Sequence, residues 1–423
     1  MTSGAPPLHP RPLPPLHHRL RRMSGRDPRE PHRAATPLEL LYDLTFVIAF
    51  SQAGAQAAHL LELGHFGAAI VGFVVGVFGV TWAWINYTWL ASAFDNDDIV
   101  FRIATFVQMV GVIILALGLP PMFHSIDEGH HLDNVLTVAG YVVMRVAGIG
   151  LWLRVARHDP RHRRTARTYA ALVGLMQVGW IVLIFIDPPL VVAVALFFAL
   201  AAAEMLVPVV AERRGGRTPW HPHHIAERYG LLAIITLGEI VLGTVLSVSA
   251  VVEEEGWSLA AGVVAFGGMA LAFGMWWVYF LMPSGDVLAR RPGRSFPWGY
   301  AHLALFAALA ATGAGLHVAA VAIRRDAHID DVAALATIVV PIAVFLLVLF
   351  ALHAVLLGRF GPFSLLLFAG SVAVLVVAVL AVAAGASLSV GIGIIALAPV
   401  VVIVGYETVG HRHQAAALAE LRG

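Results

Sequence analysis

A few ionisable residues stand inside or beside long apolar runs, where a charge costs about 2.5 to 3.5 kcal/mol on insertion scales and is retained for a partner or a purpose. Glu39 and Asp43 are four residues apart, on one helical face with Tyr42 and Phe46. Such a pair could titrate or coordinate a cation in a membrane interior. The structural alternative places Glu39 at a helix start, against the positive end of the dipole, and Asp43 in an ion pair. Arg228 and Glu239 are eleven residues apart, which returns them to one stripe within about 20° but separates them by about 16 Å along the axis. Each therefore needs its own partner from another helix. Glu227, beside Arg228, joins the candidate set for proton or solute handling. Gly238 and Gly243 flank Glu239 and would admit another helix or a ligand. Arg145 lies about 18 Å into its run, stays charged at physiological pH and demands an acid. Asp43, Glu204 and Glu239 are the candidates, with Asp43 and Glu239 favoured.

Aromatic residues gather in two corresponding places. Trp82, Trp84, Tyr87 and Trp89 stand in one run and Trp276, Trp277 and Tyr279 in another. Interfacial belts explain most such clusters, but Trp82, Trp84, Tyr87, Trp276 and Tyr279 could also line a cavity. The acids of AFDNDD at 93–98 suit helix N-terminal amides or a loop arginine better than a cation. His221, His223 and His224, and separately His124, His130 and His131, lack metal-ligand spacing and read as solvated loop residues. His302, His317 and His353 fall in apolar runs, where an imidazole could relay protons. Neither a metal nor another cofactor is expected. With no P-loop, nucleophile elbow, HExxH or dinucleotide fingerprint in its proper context, no enzymatic activity is expected. Short basic runs make nucleic acid an unlikely partner.

These residues must be positioned by lipid-embedded elements. The chain is 59% hydrophobic and only 13% charged, far from the balance of soluble domains. Cysteine is absent. Apolar stretches of about 20 residues, enough to cross a bilayer, recur near 38–60, 66–91, 99–121, 133–156, 166–186, 189–210, 224–250, 257–282, 296–323, 332–357, 362–384 and 387–409. They do not alternate as barrel strands do. The expected fold is all-α, a polytopic transmembrane helix bundle of about twelve spans. Arg154, Arg157, Arg161, Arg163, Arg164 and Arg167 follow the fourth span, Arg213, Arg214 and Arg217 the sixth, and Arg290, Arg291 and Arg294 the eighth. The positive-inside rule puts these loops and both termini in the cytoplasm of a cell-membrane protein. LYDLTFVIAFSQ from Leu41 and RYGLLAIITLGE from Arg228 align weakly. They predict two parallel six-helix halves, 37–212 and 213–410, with a working cavity between them. Residues 1–36, rich in proline, arginine and histidine, read as a disordered cytoplasmic tail, and 411–423 as a second tail.

Three segments, TPLELLYDLTFVIAFSQ at 36–52, TWAWINYTWLASAFDNDD at 81–98 and HHIAERYGLLAIITLGE at 223–239, resemble the bacterial low-temperature-requirement A (LtrA) family. YVVMRVAGIGLWLRVARHDP at 141–160 and SFPWGYAHLALFAALAATGAG at 295–315 are similar to it too. The resemblance implies a multi-pass bacterial membrane protein associated by name with growth in the cold, and carries no biochemical activity.

Buried titratable groups in corresponding helices favour a transporter-like permease for a small solute or ion, with proton coupling through Glu239 and Asp43. A non-transporting structural, sensory or assembly factor is the alternative. A lipid-modifying enzyme is the third reading, weakened by the dispersal of the acids. Glu239→Gln separates them, since it should abolish a coupled transporter and spare a scaffold.

Overall fold

Within lipid, a chain must pair every backbone N–H and C=O internally, and each long apolar run here does so as a helix. The computed structural model describes residues 20–31, 33–358 and 360–420. Its helices are α1 (Pro37–Glu62), α2 (Phe66–Phe94), α3 (Ile99–Glu128), α4 (Val135–His158), α5 (Arg163–Ile186), α6 (Leu190–Gly215), α7 (Pro222–Glu255) and α8 (Leu259–Phe280). There follow α9 (Ser284–Arg290), α10 (Ser295–Ile323), α11 (Asp331–Leu357), α12 (Pro362–Ala383), α13 (Leu388–Ile395), α14 (Leu397–Gly405) and α15 (His411–Glu420). Among the described residues they provide twelve helices long and apolar enough to span a bilayer, with α9 extending the eighth and α13 to α15 forming the twelfth.

Polar residues set the starts. Thr36 and Glu39 form a reciprocal capping box on α1, Asp98 accepts from Phe101 N at 3.0 Å on α3, and Ser258 and Asp330 cap α8 and α11. Glycine at positive φ ends α3 at Gly129 and α11 at Gly358.

Packing is sequential through the first half, with α1 on α2 and α3, then α3 on α4, α4 on α5, and α5 on α6. Helix α10 is the most enclosed span and α12 the least. It packs on α7, α11 and α1, so α1 and α10 join the first six spans to the last six. The α3–α4 seam is close enough that a Cβ at Gly140 would strike the Leu115 backbone. At the α7–α10 seam, a Cβ at Gly313 would come within 2.6 Å of the Glu239 carbonyl.

Both expected tails need correction. Residues 20–31 and 33–36 are not a loose segment: Met23 is fully buried, Arg33 is buried, and Arg26 N donates to Ala93 O at 2.9 Å. The reason is local: the open loop amides and carbonyls at this end of the bundle are polar partners for an arginine-rich segment. Residues 1–19 lie outside the described residues. At the other end the twelfth span does not stop near 409. It passes through a π turn (Tyr406–Gly410) into α15, where buried Gln414 donates to Leu281 O at 3.0 Å. Residues 421–423 lie outside the described residues.

Candidate functional site

The capping box that starts α1 also fixes its first acid. Glu39 Oε2 accepts from Thr36 N at 2.8 Å and from Thr36 Oγ1 at 3.1 Å, which turns the carboxylate inward against α7. There His224 Nε2 stands 3.2 Å from Oε2, and Arg228 Nη1 lies 2.8 Å from Oε1. That second approach is an ion contact without hydrogen-bond alignment. One helical turn deeper, Asp43 Oδ1 receives Arg228 Nη2 and, at 2.6 Å, Trp84 Nε1 from α2. Glu39, Asp43, His224 and Arg228 are all fully buried. Two carboxylates thus face one guanidinium and one imidazole, and with both acids ionised the group is formally neutral when His224 carries a proton. Such a centre gains little net stability from its charges, because desolvation consumes most of the Coulombic attraction.

An aromatic cage encloses it. The Arg228 guanidinium lies 5.7 Å from the Trp84 ring and 6.0 Å from the Tyr87 ring, and Tyr42 stacks on Tyr87 at 3.8 Å. Tyr229 packs edge-on against Trp84 and accepts from Trp89 Nε1 at 2.9 Å.

Arg145 builds a second centre. Its partner is Glu204, at 3.1 Å, and neither Asp43 nor Glu239, the two favoured acids. The correction follows from helix order: α4 packs on α5 and α5 on α6, so the acid of α6 reaches α4 first. Tyr141 and Trp180 complete the site by donating to Glu204 Oε2 at 2.8 and 3.0 Å. Between the two centres a void of about 20 Å³ is lined by Asn86, Tyr87, Gln108 and Arg145, room for about one water.

The remaining candidates disperse. Glu239 accepts from the Ser51 hydroxyl on α1 and is only half-buried. Gly243 meets Gly313 as expected of a close approach, whereas Gly238 faces open space. Glu227 is exposed and takes no part in the buried centre, although it stands next to Arg228 on α7. Trp82 and Trp84 are buried in aromatic packing against Tyr300 and Tyr229, and Trp276 is 38% exposed on the outer side of α8. Tyr279 lines a cavity. His221 and His224 are not solvated: the first caps α7 through His224 N, and the second belongs to the ion cluster. Sequence reasoning missed His224, although its place one turn before Arg228 was a usable signal.

The cavity is about 400 Å³ and partly enclosed. It lies within the second six spans, between α8, α10, α11, α12 and the last span, and not between the two halves as expected. Its walls include Tyr279, Trp298, His302, Phe350, His353 and His413 and, among the described residues, no Asp, Glu or Arg. His302 Nδ1 stands 2.8 Å from Trp298 O. A carbonyl only accepts, so Nδ1 carries the hydrogen and Nε2 of the neutral ring accepts from the Tyr279 hydroxyl at 3.0 Å. The Tyr279 oxygen keeps a lone pair for a ligand. Because spans alternate in direction, the cavity lies at the bundle end that carries residues 20–36.

That end is stitched by acids of the 93–98 loop. Burial pushes the Asp95 carboxyl up to about 6, with Glu39 adding to it. Burial acts on Asp98 too, but hydrogen bonds from Arg154 and from the backbone of Phe101 and Arg21 outweigh it and hold the carboxyl well below the usual range. Both acids serve loop amides and arginines, and no group of three or more potential metal ligands occurs among the described residues.

Among known proteins, an uncharacterised protein of Rhizobium meliloti (strain 1021) is 26% identical over 248 residues. The match covers 57% of this chain and 57% of that relative. No solved structure matches. The sequence pattern described as "Bacterial low temperature requirement A protein (LtrA)" matches residues 34–403, a range that holds both buried ion centres and most of the cavity wall. On that match the chain belongs to the bacterial low temperature requirement A (LtrA) family.

Proposed function

We propose that this protein is a permease that moves a small, uncharged and largely apolar solute. The observation that carries the reading is the cavity between α8, α10, α11, α12 and the last span. It falls within the usual range for small-molecule sites, roughly 300 to 1,000 Å³, and among the described residues its walls hold aromatic rings, histidines and no fixed charge. A permanently charged solute would leave water there for a wall that offers no countercharge, at a cost of several kcal/mol. An apolar body would displace water favourably, while the Tyr279 oxygen and the imidazole of His353 give it a donor or acceptor to meet. The two ion centres are packed shut and serve as fixed anchors around which the cavity-bearing helices move.

The test is equilibrium binding and vesicle counterflow with the purified full-length protein, using a panel of uncharged aromatic and aliphatic solutes beside inorganic ions. The reading expects saturable binding and flux for members of the uncharged set. Tyr279→Phe and His302→Ala are expected to weaken binding about tenfold each, the loss of one or two hydrogen bonds in a dry site. Saturable binding without flux favours a ligand sensor, the second reading that the sealed ion centres support. Ion flux alone overturns the assignment of the cavity.

A further inference from the structure

Glu239 stands at the midpoint of α7, seventeen residues from Pro222 and sixteen from Glu255, about 25 Å from either end at the α-helical rise. Its hydrogen bond comes from the Ser51 hydroxyl of α1, and among the described residues no cation is paired with it. A side chain at Gly54 of α1 would come within 3.9 Å of both Glu239 Oε2 and Ala314 Cβ of α10. The carboxyl therefore sits in a groove between α1 and α7, floored by α10.

The rims of that groove face lipid. Leu44 and Ile48, on the Ser51 face of α1, and Leu242 on α7 are exposed apolar residues, and a side chain at Gly238, next to Glu239, would meet open space. The titratable groups on the packed elements stand at other levels. They are Glu39, Tyr42, Asp43, His59 and Glu62 on α1, His223, His224, Glu227, Arg228, Tyr229 and Glu253 to Glu255 on α7, Asp286 and Arg290 on α9, and Tyr300, His302 and His317 on α10. Helices α2 and α8 carry no charged residue. None of these groups bonds to Glu239 or acts on it electrostatically.

An unpaired carboxylate at this depth is costly, and a bound proton removes the cost while Ser51 still satisfies one oxygen. Glu39, Asp43 and Glu204 differ, because each faces an arginine. We infer that Glu239 is a proton-exchange site served from the lipid-side groove between α1 and α7. Loss or gain of its proton changes the α1–α7–α10 seam at Gly313, and α10 also carries Trp298 and His302 of the cavity wall. The purpose of the site, coupling, rests on the permease reading, but the site itself is testable without transport.

The experiment treats the full-length protein in lipid nanodiscs with dicyclohexylcarbodiimide and locates adducts by peptide mass spectrometry. The carboxylic acid adds across one N=C bond of the reagent: its proton goes to nitrogen, its oxygen bonds to the central carbon, and acyl transfer to nitrogen gives a stable N-acylurea with no leaving group. An adduct is expected on Glu239, falling as the pH is raised from about 5 to about 9, absent in Glu239→Gln, and weak with a water-soluble carbodiimide. Glu39, Asp43 and Glu204 should stay unmodified. Folded wild-type protein without an adduct at Glu239 overturns the inference. So does pH-independent labelling, or equal labelling of the three arginine-paired acids. Because the readout is wild-type labelling, a folding defect in the variant does not decide the outcome. An absence of flux with Glu239 labelled would count against the permease alone.

Discussion

Arg228 pairs with two carboxylates at once, so its loss differs in kind from the loss of either acid. Arg228→Met leaves Glu39 and Asp43 buried with only His224 as a cationic partner, and should cost about 3–5 kcal/mol in unfolding experiments. The triple change Glu39→Gln, Asp43→Asn, Arg228→Met should recover most of that loss, since it removes the charges together. A triple variant no more stable than the single would show that the charges themselves hold the helices. At the bundle end, Asp95 offers a pH-dependent counterpart. Its folded carboxyl titrates at about 6 against 3.8 for an ordinary one. Between those values the native state holds the proton more tightly, so stability falls as pH rises through this window. Above it, ionised Asp95 costs on the order of 2–3 kcal/mol. Asp95→Asn keeps the oxygen that accepts from Asp97 N at 2.7 Å and should stabilise the protein at pH near 8, an advantage that vanishes near pH 4. Thermal melts of both proteins across that range measure it.

Among the elements, the α3–α4 pair depends on small residues for its close approach. Without a hydrophobic force between helices in lipid, that contact is dispersion and fit. Gly140→Val would drive its side chain into the Leu115 main chain and should lower stability by about 1–3 kcal/mol. The same change at Gly148, which meets open space, should leave the melting temperature within a degree or two of wild type. Helix starts were legible one by one, because Thr36, Asp98, Ser258 and Asp330 are the residue types that satisfy free amides. The twelfth span was read short. Its apolar pattern fades near 409, and only the contact of Gln414 with Leu281 reveals why the helix continues.

For the whole molecule, twelve alternating spans would bring the start of α1 and the end of α15 to one face, and the positive-inside rule predicts that the arginine-rich loops make that face cytoplasmic. The natural absence of cysteine makes this directly measurable. A single cysteine in place of Arg164 should react with a membrane-impermeant maleimide only after inverted membranes are prepared, and one in place of His130 only in intact cells. The reverse pattern would invert the topology. Residues 20–31 and 33–36 lie at the same end, where buried Arg33 donates to Ala91 O at 2.9 Å and Glu30 O meets His221 Nε2 at 2.9 Å, one turn before His224 of the first ion centre.

The sequence by itself determined that the fold is helical and lipid-embedded, where the spans lie, and which ionised side chains had to turn inward. Those properties are local sums: transfer free energy over some twenty residues, and the chemistry of a cap. It could not decide which acid meets which arginine, that His224 joins Arg228, or that Trp276 faces lipid while Tyr279 faces a cavity. Tyr279 and Trp276 lie on one helix three residues apart, and only the neighbours that pack against α8 separate their surroundings. Partner choice depends on helix order in the bundle, and that order is fixed by the summed packing of seams such as Gly140 on Leu115 and Gly313 on Glu239, contacts between residues distant in the chain.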